Sequence, residues 1–82
     1  MTEPYCQIPL RALSNIREKK HYDVGSIIHY EVCNFYAKID KMTNTTLDIT
    51  LLELEYSGDT IKFYETDSKQ KGLARRPFYL IN

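Results

Sequence analysis

The chain has 82 residues, 43% of them apolar and 27% charged, with a formal net charge of zero. That size allows one domain spanning 1–82 with a modest core, and the composition excludes a disordered or low-complexity chain. Seven Tyr, three Phe and no Trp, beside many Thr, Ile and Leu, tilt the expectation toward β structure.

The charges are segregated along the chain. Residues 1–21 carry +2, 22–47 carry −1, 48–68 carry −5 and 69–82 carry +4. A protein that lives by phosphate contacts shows a basic excess; a dipole points elsewhere. Cys6 and Cys33 allow one disulfide at most, which is thin for a secreted scaffold of this length. The opening MTEPYCQIPL has no basic stretch followed by a long apolar run, and no segment is long enough to span a membrane. The expectation is an intracellular, cytoplasmic protein with reduced thiols.

In chain order, Pro4 and Pro9 hold PYCQIP extended. PLRALSNIREKK follows, with Leu10, Leu13 and Ile16 three apart, Pro9 suited to a first helical position, and Lys19 and Lys20 at the end that favours cations. This predicts a short amphipathic helix over 10–20, covering one open end of a sheet. From Ser26 the pattern alternates. Ile28, Tyr30 and Val32 are apolar at even positions, then Phe35, Ala37 and Ile39 at odd ones. Cys33-Asn34 is therefore a tight turn or a bulge. A second phase change falls at Leu51-Leu52, where Leu47, Ile49 and Leu51 give way to Leu52, Leu54 and Tyr56. No turn residue sits there, so a bulge is expected.

Two hairpin registers follow. With Met42-Thr43-Asn44 as a loop, Ile39 faces Leu47, Ala37 faces Ile49, Phe35 faces Leu51, and Lys38 opposes Asp48 outside. With Gly58-Asp59 as a two-residue type II′ turn, Tyr56 meets Ile61, Leu54 meets Phe63, and Glu55 meets Lys62 outside. DSKQKGLARRP reads as a polar, basic loop, and FYLIN as a last strand over 78–81 with a free apolar edge.

The fold class expected is mainly β, or β-rich α+β: a small, bent, antiparallel, barrel-like sheet with the N-terminal helix. Counting a turn at Cys33-Asn34 gives five strands, and YDVGSIIHYEVCNFYAKI is similar to the opening of SH3-like and Tudor-like barrels. Counting a bulge instead, LDITLLELEYSGDTIKFYE is similar to the strand–turn–strand of single-strand-binding OB domains, here incomplete because only one more strand fits after residue 66.

No catalytic fingerprint is present. His29 and Cys33 on a continuous strand stand about 13 Å apart, too far to share a zinc, and with Cys6 and His21 they match no structural zinc spacing. Three glycines at 25, 58 and 72 make no phosphate loop, and no nucleophile has a His and an acid placed beside it. Catalytic residues, metal and cofactors are accordingly expected to be none. The binding candidates are Tyr36, Lys38, Lys62 and Tyr64, read as one outward face, with Arg75 and Arg76 in the basic loop. Exposed aromatics beside Lys suit single-stranded DNA or RNA, but Asp40, Asp48, Glu53 and Glu55 share that face and repel phosphate. The leading expectation is a non-enzymatic binding module acting through protein–protein contacts or self-association, an adaptor or inhibitor of the kind viruses and mobile elements encode. Nucleic-acid binding is the alternative; neither a membrane nor a small-molecule substrate is indicated.

Overall fold

The structure is a computed structural model that describes residues 3–15, 17–18, 22–30, 33–73 and 79–81. Its strands are β1 (Cys6–Pro9), β2 (Arg17–Glu18), β3 (Ile27–Tyr30), β4 (Phe35–Met42), β5 (Thr46–Ser57), β6 (Thr60–Leu73) and β7 (Tyr79–Leu80). They form one seven-stranded sheet in the order β1-β6-β5-β4-β3-β7-β2, antiparallel at every pairing. The molecule is mainly β, and its sheet is open, with β1 and β2 at the two edges. No helix among the described residues is long and apolar enough to cross a membrane.

The helix expected over 10–20 is a 3-10 helix, Leu10–Asn15, followed by β2. Leu10, Leu13 and Ile16 recur every three residues, which is the period of a 3-10 turn rather than of an α-helix. Pro9 belongs to β1 opposite Thr60, and the Leu10 amide donates to the Asp59 carbonyl across the β5–β6 turn (2.7 Å), so that donor is already committed outside any helix. The connection also constrains the sheet. Seven strands laid flat separate their outer members by about 29 Å at about 4.8 Å per strand. The chain from Pro9 to Arg17 reaches no more than about 20 Å, because most of it rises only about 2 Å per residue. The sheet therefore curls.

Cys33-Asn34 is a turn. β3 and β4 pair as Ile28↔Ala37 and Tyr30↔Phe35, which moves the apolar set from even to odd numbers without a bulge. Asn34 takes the left-handed conformation (φ 52°), a site where Asn is tolerated better than most residues, and its Oδ1 lies 3.2 Å from His29 Nε2. The second hairpin matches its expected register: Tyr56↔Ile61, Leu54↔Phe63 and Glu55↔Lys62. Gly58 has φ +63° and Asp59 does not share the positive φ, as a II′ turn requires.

The first hairpin is displaced by two residues from expectation. Ile39 faces Ile49, Ala37 faces Leu51 and Lys38 faces Thr50; past an irregularity at Asp40, Lys41 faces Asp48. The loop is Thr43–Thr45 rather than Met42–Asn44, because the Thr43 Oγ1 accepts from the amides of Thr45 (3.3 Å) and Thr46 (3.0 Å) and lies 2.8 Å from Thr46 Oγ1. A shift of two keeps every side chain on its face, so the hydrophobic pattern alone does not distinguish the two registers.

The largest departure is β6. The predicted loop after Thr66 is strand as far as Leu73, pairing Thr50↔Lys69, Asp48↔Lys71 and Leu47↔Gly72. The expected bulge at Leu51-Leu52 is present as a register shift between Thr50 and Leu52, with three residues of β6, 66–68, set against Leu51 alone. Against β4 the ladder runs through that point without interruption, Thr50↔Lys38, Leu51↔Ala37 and Leu52↔Tyr36. The phase change therefore moves the apolar set to the opposite face of the sheet. One cluster (Ile28, Tyr30, Ala37, Ile39, Leu47, Ile49) packs on one face; the other (Ile27, Leu52, Ile61, Phe63, Ile81) packs on the reverse. β7, expected as a free edge, lies between β3 and β2, with Leu80 opposite both Ile28 and Arg17.

Candidate functional site

The face carrying Ile27, Leu52 and Phe63 also carries the most connected polar group of the described residues. Alternation puts Lys38 and Asp40 on that face of β4, Thr50 on β5, and Glu65 and Lys69 on β6. Lys38 Nζ reaches Asp40 Oδ1 (2.8 Å) and Glu65 Oε1 (2.6 Å), with the lysine side chain only 18% exposed. Thr50, itself buried, donates to Asp40 Oδ2 and accepts from Lys69 Nζ (3.2 Å). Hydrogen bonds to Asp40 and then Glu65 push the Lys38 ammonium up to about 12 against a smaller opposing cost of burial. Burial pulls Asp40 the other way, but the Lys38 and Thr50 hydrogen bonds outweigh it and hold the carboxyl below its ordinary range. Lys38 Nζ also lies 5.1 Å from the Tyr5 ring centroid, and the Tyr5 hydroxyl donates to the Gly25 carbonyl (2.6 Å).

Beside this network is an open cleft of about 430 Å³, lined by Asp40, Lys41, Asp48, Lys69 and Lys71 among others. Lys71 stands 3.8 Å from Asp48. Three lysines against two aspartates leave the cleft with mixed charge, and its carboxylates already engage neighbouring cations.

The four binding residues read from the sequence as one outward face, Tyr36, Lys38, Lys62 and Tyr64, do not share one. Tyr36 and Lys38 lie with Phe63; Lys62 and Tyr64 lie on the reverse, opposite Glu55 and Glu53. Arg75 and Arg76 fall outside the described residues. Tyr36 is half-buried, stacked on His29 (4.3 Å, 19°) and tilted against Phe63 (5.7 Å). Burial, with a smaller effect of the neighbouring Tyr56, pushes its phenol up. His29 is buried at 8% exposure. Tyr64 donates to Glu55 Oε1 (3.1 Å), and its phenol is raised by desolvation and by that carboxylate. Cys6 and Cys33 are free thiols; Cys33 sits exposed at its turn, while burial raises the Cys6 thiol.

What sequence reasoning missed lies at the end of the β5–β6 hairpin. β4 follows β5 only as far as Leu52; among the described residues no strand pairs with that side of Glu53–Ser57. Tyr56 on this stretch is 64% exposed, and Glu53 and Glu55 flank it, also exposed. On the other side β1 braces the hairpin, Ile8 opposite Ile61, and Pro9, Leu10, Arg11, Asp59 and Thr60 line a shallow hollow of about 480 Å³. Leu10 is 40% exposed there. The available signal was relative strand length: β5 has 12 residues and β4 only 8, so part of β5 must outrun its neighbour. No family model, no curated protein and no solved structure matches this chain.

Proposed function

We propose that the chain is a small non-enzymatic binding module that acts through protein–protein contacts, as an adaptor or inhibitor, and engages its partner at the free end of the β5–β6 hairpin. The observation that carries this reading is the open backbone edge of Glu53–Ser57 with an exposed Tyr56 set on it. An extended segment of a partner adds to such an edge through main-chain hydrogen bonds, while the side chains beside it select the sequence. Tyr is enriched among residues that dominate interface energies, and Glu53 and Glu55 favour a partner segment carrying Lys or Arg.

Nucleic-acid binding has less support. Its aromatic–lysine face is divided between two sides of the sheet, and Lys38 is engaged by Asp40 and Glu65. The test is quantitative capture from the cells that make the protein, comparing the native chain with Tyr56→Ala and with Glu53→Lys/Glu55→Lys. A partner retained by the native chain and lost by both variants is expected; capture unaffected by either variant refutes the reading. A fluorescent single-stranded oligonucleotide at low salt separates the alternative, which requires binding that falls steeply as salt is added.

A further inference from the structure

β1 covers the outer side of β6 only as far as Phe63. From Tyr64 to Leu73 no described strand pairs with that side, so β6 has a second open edge, remote from the β5 edge at the hairpin end. Such edges are usually blunted by repeating one charge, Lys above all. This one does something else. Its exposed residues read Glu65, Asp67, Ser68, Lys69, Gln70 and Lys71, with two carboxylates before Ser68 and two ammonium groups after it, at mirrored positions.

We propose that β6 pairs with β6 of a second copy of this chain, antiparallel about a two-fold axis at Ser68. Ser68 then faces its own counterpart, Asp67 faces the second copy's Lys69, and Glu65 faces its Lys71, each pair occurring twice. The parity is right for contact. Glu65 pairs with Leu52, Lys69 with Thr50 and Lys71 with Asp48 inside the protomer, and the two-residue surplus of the bulge keeps these three charged side chains on one face, with Asp67 in the bulge between them. On the reverse face Tyr64 falls opposite the second copy's Gly72, whose Cβ side already meets the Tyr30 hydroxyl of its own chain (3.4 Å). Neighbouring registers fail. Sliding by two residues sets Lys69 against Lys69 or Asp67 against Asp67, and sliding by one sets every charge against a neutral residue. The open edge also ends where it must: Tyr64 to Gly72 is centred on Ser68, and β1 blocks further pairing at Phe63. The result is an isologous contact that continues one sheet through two copies.

This rests on the reading of the chain as a protein-binding module but uses the other edge, so its failure leaves the hairpin-end surface standing. The experiment is sedimentation of the full chain and of two charge variants, Asp67→Lys and Lys69→Asp, alone and mixed. The native chain is expected to dimerise. Each variant alone places like charges opposite each other twice and is expected to dimerise at least about tenfold more weakly, whereas an equimolar mixture restores two opposite-charge pairs and recovers association. Circular dichroism confirms folding of each variant. As a second measurement, Ser68→Cys in a Cys33→Ser background is expected to form an intermolecular disulfide under mild oxidation, because directly opposed residues lie about 4.5–5.5 Å apart at Cα. Gln70→Cys in the same background is expected not to, its counterpart being about 13 Å along the strand. A native chain that stays monomeric at its highest soluble concentration, a mixture no more associated than its components, or equal crosslinking at 68 and 70 overturns the proposal.

Discussion

Replacing Lys38 by Met keeps an unbranched side chain of similar length against Tyr5 and removes only the ammonium. Asp40 and Glu65 then lose their shared cation, although Thr50 still donates to Asp40. The cost follows from the ammonium itself, raised from an ordinary 10.5 to about 12, a difference worth about 2 kcal/mol. The group lies at the sheet surface, with Glu65 48% exposed, so screening by water leaves about 1 kcal/mol. In urea, where small proteins lose roughly 1 kcal/mol per molar denaturant, the unfolding midpoint of Lys38→Met falls by about 1 M at pH 7. The sign with pH is fixed by both partners. The raised lysine contributes fully below its unfolded value and loses that contribution as pH rises through about 12. The lowered Asp40 contributes above the ordinary carboxylate range and loses it as pH falls through its depressed value. Lys38→Met is therefore expected to show a flatter decline into acid than the native chain. A double-mutant cycle with Asp40→Asn isolates the pair. An unchanged midpoint together with an unchanged acid limb refutes the reasoning.

Other consequences are as direct. Phe63, fully buried in the second cluster, is expected to cost about 3–5 kcal/mol as Phe63→Ala, most of the stability of a chain this size, read as loss of a cooperative thermal transition. Gly58→Ala meets nothing within 4 Å, yet φ is +63°; it should lower stability by about 1 kcal/mol through backbone strain alone, whereas an unchanged urea midpoint would show that the turn relaxes freely. Burial raises the Cys6 thiol, so iodoacetamide should alkylate it more slowly at pH 8 than a free cysteine, and at the ordinary rate once the chain is unfolded in urea.

The second hairpin was legible because every local signal agreed: Gly58 at a position needing positive φ, alternation on both arms, and Glu55 opposite Lys62. The first hairpin was legible in its faces but not in its register, since a shift of two leaves the pattern intact and the choice fell to Thr43 hydrogen bonds. Residues 67–72 were misread because their period-two pattern, Asp67, Lys69 and Lys71 alternating with Ser68, Gln70 and Gly72, contains no apolar member. They form strand because the first half of β5 offers a ladder. The network around Lys38 left only a trace in the sequence, opposite charges two apart at Lys38 and Asp40, and its other three members, Thr50, Glu65 and Lys69, come from neighbouring strands. Tyr36 and Lys38 separated from Lys62 and Tyr64 because the phase change at Leu51-Leu52 was read as a bend with one interior, whereas the sheet carries apolar clusters on both faces.

The placement of β1 and β2 at opposite edges has a consequence for how the chain is made. Among the described residues β1 pairs only with residues 60–63, and β2 only with residues 79–80. As the chain leaves the ribosome, β1 has no strand to join until residues 60–63 have been synthesised, and β2 none until residues 79–80. The hairpins over 27–73 form from neighbours in sequence and are expected to serve as the platform. β1 and β2, translated before the hairpins, are expected to dock after them.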